Sequence, residues 1–289
     1  MVVKRSMSNI IPDNLFPKLP LDKGVEIAVD YIKLYLKSFF DFISEALKWV
    51  SGNLADVLSI GSPFILIVIL AALAWWLSGW KLGIFTLLGF GLINNLGYWE
   101  DTITTLSLII VSVVIAIIIA IPIGVWMSQK NIVQAIMSPI LDFMQTMPAF
   151  VYLIPSVIFF GLSVVPGIIA TIIFSMPPAI RMTNLGIRQV DEELIEASDA
   201  FGSTMWQRLR KVQLPLATPT IMAGINQTIM LSLSMVVIAS LVGAPGLGTE
   251  VYKAVTQTEV GRGFESGLAL VILAMVLDRI TQSATNKQS

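Results

Sequence analysis

The apolar positions of this chain run in long blocks, with the polar positions gathered between them. From Leu82 to Ile180 the only charged residues are Glu100, Asp101, Lys130 and Asp142. Blocks such as "LSLIIVSVVIAIIIAIPIGVW" reach the roughly 20 apolar residues that carry a helix across a bilayer. Seven candidate spans follow from the pattern, at about 63–79, 82–97, 101–127, 138–161, 164–181, 218–243 and 263–281. The expected fold is an all-α polytopic membrane protein. The segment 82–97 is short and carries Gly83, Gly89, Gly91, Asn94 and Asn95, which suits a crossing or a re-entrant loop. The segment 138–161 contains Pro139, Pro148 and Pro155. Each removes a backbone donor, and the freed carbonyls must be satisfied by neighbours or by a water-lined cavity.

Upstream the period changes. Residues 1–23 are punctuated by Pro12, Pro17 and Pro20 and read as an irregular tail. Between Gly24 and Val50, Glu26, Asp30, Lys33, Lys37, Asp41, Glu45 and Lys48 recur every three or four residues, which stacks them along one helix face. Seven charges in 23 residues exclude a span. The segment is an amphipathic helix that lies in the membrane interface or packs on the rest of the chain. The expected organisation is therefore residues 1–60 as an extracytoplasmic tail and interfacial helix, and 61–289 as the membrane domain.

Composition narrows the chemistry. The chain is 55% hydrophobic and 13% charged, against about 25% charged in soluble domains. It has no cysteine, which removes disulfides, iron–sulfur ligation and thiolate catalysis. It has no histidine, which removes the commonest metal ligand and general base. No metal site is expected. A net charge of −1 without a basic stripe gives no sign of nucleic acid. Lys4 and Arg5 are not followed by an apolar core and a cleavage site, so no secretory signal is expected. Counting Lys and Arg near span ends places nine on the side of residues 182–217 and three on the other. That insert is therefore cytoplasmic, with the N terminus outside and the C terminus inside.

The insert is a charged, helix-favouring interruption. Asp191, Glu192 and Glu193 start a helix where carboxylates complement its exposed amides. Gly202 breaks it, Ser203 or Thr204 caps a second helix, and Leu214–Pro215 is expected to stop that one. So small a module has no core of its own. Trp206, Phe201 and the leucines amid charge read as an interface for a partner, or as a loop folded back on the span ends.

"EASDAFGSTMWQRLRKVQLP" resembles the EAA loop of bacterial ABC importer permeases. Glu196, Ala197, Gly202, Leu214 and Pro215 fall on its pattern, with Ser198 and Val212 as small departures. "DFMQTMPAFVYLIP", "MPPAIRMTNLGIRQV" and "AGINQTIMLSLSMVVIASLVG" resemble the quaternary-amine branch, the osmoprotectant permeases for glycine betaine, proline betaine, choline and carnitine. The resemblance covers Trp99 to Gln282. It implies a type I importer permease fold of about seven transmembrane helices with a cytoplasmic coupling helix pair at 185–217. Glu196, Ala197, Gly202, Leu214 and Pro215 would couple to a separate ATPase. The chain lacks G-x-x-x-x-G-K-[ST], so ATP and Mg²⁺ would be bound by that partner and no cofactor or catalytic residue is expected here. A second copy and an extracytoplasmic substrate-binding protein would complete the assembly in the bacterial cell membrane. A quaternary ammonium cargo calls for aromatic faces. Phe143, Met144, Gln145, Thr146, Met147, Phe150 and Tyr152 are the best local set for its path. Of the four acids at span edges, Asp101, Asp142, Glu265 and Asp278, each is expected to be simply hydrated. Other readings are a permease for another small solute such as an amino acid, an ion-coupled transporter, a channel or a membrane enzyme. The spans hold no mid-membrane charge for ion coupling and no catalytic set.

Overall fold

The computed structural model describes residues 21–286; residues 1–20 of the expected tail lie outside them. Two units divide between Ile43 and Ser44. Helix α1 (Leu21–Ser59) begins in the first. There Ile27, Tyr31, Leu34, Tyr35, Phe39 and Phe42 are exposed along it, and Tyr31 and Tyr35 stack at 5.8 Å as (i, i+4) neighbours. A charged face beside an apolar stripe is what an interfacial helix presents to lipid.

In the second unit the last turns of α1 are tied down, since the Ser107 hydroxyl donates to the Ser51 carbonyl at 2.7 Å and Leu47 is buried. The axis turns 97° across residues 60–62 into α2 (Pro63–Ser78), and Gly79 alone links α2 to α3 (Trp80–Asn95). There follow α4 (Trp99–Gln129), α5 (Asn131–Thr146), α6 (Ala149–Phe160) and α7 (Val164–Arg188). Beyond them come α8 (Glu192–Ala200), α9 (Met205–Arg208), a π turn at Leu209–Gln213, α10 (Leu214–Ser240), α11 (Leu247–Gln257) and α12 (Val260–Asn286).

Helix α7 is the centre, packed chiefly against α10 and α4. Lipid gives helices no hydrophobic reason to associate, so close van der Waals contact between small residues does that work. A Cβ on Gly124 would lie 2.7 Å from the Ile180 carbonyl oxygen, and one on Gly224 would lie 2.7 Å from Met182 Cβ. Buried hydroxyls return to their own helices: Thr171 donates to the Gly167 carbonyl at 2.7 Å, and Ser232 to that of Thr228 at 2.8 Å. These polar side chains thereby sit in the core with their hydrogen bonds made, whereas the buried hydroxyls of Ser112, Ser175 and Thr183 have no partner among the described residues.

Among the described residues four helices are long and apolar enough to cross a membrane, or up to six if each bent pair is one span. This is fewer than the seven expected. Helix α3 covers the expected second span but has 16 residues, about 24 Å at 1.5 Å per residue, short of a ~30 Å hydrocarbon core. The expected single span at 138–161 is two helices, α5 and α6, at 99°. Only Pro148 bends the chain. Met147 (φ −71°, ψ 133°) and Pro148 (φ −56°, ψ 140°) are both extended, the conformation proline imposes on its predecessor. Pro139 and Pro155 stay inside their helices.

Valine at Gly124 or Gly224 should separate α7 from its neighbour and destabilise by about 1–3 kcal/mol. In thermal unfolding of the detergent-solubilised chain, both variants should lose several degrees of Tm. Gly91→Val, where nothing lies within 4 Å of the added Cβ, should lose little.

Candidate functional site

The helix pair Glu192–Arg208 is built from its caps. Glu192 and Glu193 occupy the first turn of α8, where negative charge favours the helix dipole. At its other end the Gly202 amide donates to the Asp199 carbonyl at 2.9 Å and the Ser203 amide to that of Ser198 at 3.2 Å. This is the Schellman closure, which requires a left-handed residue after the cap. Gly202 supplies it with φ +76°, and nothing lies within 4 Å of a Cβ placed there. Backbone conformation, not space, therefore selects glycine. Thr204 then caps α9 in a capping box: its hydroxyl accepts from the Gln207 amide at 3.3 Å, and the Gln207 side chain accepts from the Thr204 amide at 2.9 Å. Asp199 and Arg208 pair at 2.7 Å across the turn. Of the two expected caps, Thr204 is the one used, while Ser203 bonds the Ser198 hydroxyl at 2.5 Å.

The base of the module is fixed to the membrane helices. At the foot of α7, Arg188 donates to the Met127 carbonyl at 3.0 Å, to Asn131 Oδ1 at 2.9 Å and to Asn184 Oδ1 at 3.1 Å. One guanidinium thus joins the end of α4, the start of α5 and α7. On the return side Leu209 is buried with Ile187, Ala217 and Ile221. Pro215 does not stop the second helix as expected. The chain runs from α9 through the π turn into α10, a continuous 36-residue stretch from Met205 to Ser240. Pro215 stands just past the π turn at the start of α10, and the π turn absorbs the change of register that a proline without an N–H imposes.

The outer face of the module is open. Phe201 is 93% exposed, and Leu194, Met205 and Trp206 are also exposed. Glu196 and Ala197 are also exposed, and Glu196 has no ion-pair partner among the described residues. Leu214 is half-buried behind it and Pro215 exposed. A preformed, rigid, unpartnered surface of mixed charge and apolar groups results.

The α5–α6 elbow divides the seven residues singled out for the path. Phe143 and Phe150 are exposed, at 65% and 56%, as are Gln145 and Thr146. Met144 packs in the core under α5, and Met147 and Tyr152 pack against α7. Tyr152 donates its hydroxyl to the Met144 carbonyl, bracing the elbow from within, and its ring meets Phe174 edge-on at 6.0 Å. Asp142 is not simply hydrated: it pairs with Arg181 of α7 at 2.5 Å. Nothing in the local sequence announces this partner 39 residues away.

Several helices long and apolar enough to cross a membrane pack around α7, and an exposed helix pair stands off them. The family of binding-protein-dependent transport system inner membrane components matches residues 112–285, and the chain belongs to that family. It is accordingly a multi-pass protein of the cytoplasmic membrane. The chain is 55% identical over 272 residues to the glycine betaine transport system permease protein OpuAB of Bacillus subtilis, covering 94% of this chain and 96% of that one. It is 50% identical to the glycine betaine/carnitine transport permease protein GbuB of Listeria monocytogenes, over 94% of this chain and 97% of that one. With the glycine betaine/proline betaine permease protein ProW of Escherichia coli it shares 42% identity, over 92% of this chain and 75% of the relative. A solved structure of the MetNI methionine ABC transporter in an inward facing conformation superposes with a TM-score of 0.61 at 23% identity, over 66% of this chain and 96% of that chain. The shared fold is that of an ABC importer permease.

A β-branched residue at position 202 would have to hold φ near +76°, costing about 1–2 kcal/mol, or roughly a ten-fold rise in local opening. Gly202→Val should therefore be cut by trypsin after Arg208 about ten times faster than the parent chain, with membrane insertion unchanged. An unchanged cleavage rate would show that the turn does not depend on glycine.

Proposed function

We propose that this chain is the translocating subunit of an ATP-driven importer for glycine betaine or a closely related quaternary-amine solute. In this reading two copies form the path, two cytoplasmic ATPase subunits drive it, and an extracytoplasmic binding protein delivers cargo. The observation that carries the reading is the helix pair Glu192–Arg208, closed by its own caps yet unpartnered at Phe201 and Glu196. The cargo rests on the relatives, whose names specify glycine betaine, carnitine or proline betaine.

The mechanism follows from how the module is footed. ATP and Mg²⁺ would be held by the partner ATPase, and closure of that partner would displace the exposed tip. A flexible loop would absorb the displacement. This one transmits it, because the Schellman turn, the Asp199–Arg208 pair and the capping box leave no soft joint between α8 and α9. Arg188 then passes motion to α4, α5 and α7, and Leu209 to α10. Rigid-body rocking of packed helices is the expected form of the switch between inward- and outward-facing states. Glu196 suits a charge-assisted bond to the ATPase, and Phe201 suits an apolar slot in it. At the other end of the bundle Glu250 pairs with Lys253 at 2.7 Å and Glu259 with Arg262 at 3.0 Å. These groups give α11 and α12 a charged outer surface suited to a soluble binding protein.

Reconstituted in vesicles with its ATPase, the chain should accumulate glycine betaine only when ATP is supplied; uptake on an ion gradient alone would contradict the proposal. Phe201→Ala and Glu196→Ala should leave the chain folded and reduce uptake by about ten-fold or more, reflecting roughly 1.5–3 kcal/mol of lost contact.

At the path, Phe143→Ala and Phe150→Ala should weaken the stimulation of ATP hydrolysis by binding protein and cargo. An unchanged response would assign both rings to packing.

A further inference from the structure

Helix α5 carries three stripes rather than two. Met137, Leu141 and Met144 pack inward. Ile132, Ile136, Ile140 and Phe143 form an exposed apolar stripe suited to hydrocarbon or protein. Between these lies a third, exposed and made of small or polar groups: Ala135, Pro139, Asp142, Gln145 and Thr146. The spacing of three and four residues places them on one side of the helix. A polar stripe exposed on a helix of a bent pair that can cross a membrane is sustained where it lines water or meets protein.

Asp142 sits on that stripe with its side chain 66% exposed, and it engages Arg181, 36% exposed, at 2.5 Å. The Nε of Arg181 is buried and has no hydrogen-bond partner, so the guanidinium is only partly satisfied. A lone charge here would be costly and would hold an oppositely charged solute. The pair is net neutral, which limits the cost and removes long-range attraction. What it keeps is a short dipole with a guanidinium at one end and a carboxylate at the other.

We propose that the Asp142–Arg181 pair is the transit contact for zwitterionic cargo, with Arg181 facing the solute carboxylate and Asp142 its ammonium. This deepens, and rests on, the quaternary-amine reading above. Carboxylate recognition by the planar fork of arginine is directional, while the cation also has the exposed Phe143 ring on the neighbouring stripe. A neutral dipole meeting a neutral zwitterion gives orientation with weak retention, which is what passage requires.

The absence of cysteine gives a clean test. In the full chain reconstituted with its ATPase and binding protein, Gln145→Cys should react with a membrane-impermeant thiol reagent, whereas Ile140→Cys on the apolar stripe should react at least ten-fold more slowly. Millimolar glycine betaine should slow modification at position 145 several-fold. That protection should be lost when Asp142→Asn or Arg181→Gln is added and retained with Asp142→Glu, which preserves the pair. If the position-145 thiol is unreactive, or protection persists in Arg181→Gln, the proposal is overturned. If the parent complex takes up glycine betaine on ATP yet shows no protection, this proposal fails alone; if it takes up none, the substrate reading fails first.

Discussion

Inside a bilayer no water is available to rescue an unpaired polar group, and most of this structure follows from that constraint. It makes every described crossing element a helix. It returns the Thr171 and Ser232 hydroxyls to carbonyls of their own turns, and it leaves contact between surfaces to hold α7 against α4 and α10. Gly124 and Gly224 are there because backbone must approach backbone at those crossings. The result is a core that moves as blocks and does not yield locally.

The departures from this constraint are where function concentrates. At Met147–Pro148 the helical ladder is abandoned, and Tyr152 repairs it from inside by bonding the Met144 carbonyl. At Asp142 and Arg181 two charges persist among apolar helices because each neutralises the other. At Glu192–Arg208 the chain leaves the membrane altogether and closes on itself without covering Phe201. A rigid core, an elbow with a polar flank and a rigid handle are the parts a driven transporter needs, and they share one footing at Arg188.

Much of this was legible in the sequence, for identifiable reasons. Long apolar blocks mark spans whatever their neighbours, and Gly202 after an acidic helix start marks a left-handed cap because few other residues tolerate one. The rest depended on geometry that residue types do not encode. Three prolines between 138 and 161 look alike in sequence, yet only Pro148 has two consecutive extended residues around it. Leu214–Pro215 looked like a stop, but a π turn upstream let proline enter the first turn of α10. Arg181 was invisible as a partner of Asp142 because the fold, not spacing, brings α5 onto α7. The division of the path residues into exposed Phe143 and Phe150 and packed Met144, Met147 and Tyr152 likewise awaited the elbow.

In the proposed function, the exposed helix pair is the contact through which a separate ATPase moves the membrane helices. Amide hydrogen exchange on the membrane-embedded chain, with and without its ATPase, tests this most directly. New protection is expected at Glu192–Arg208 on binding, centred on Glu196 to Gly202, with the ends of α4, α7 and α10 changing again when ATP is added. Binding of the ATPase with exchange in that segment unaltered would contradict it.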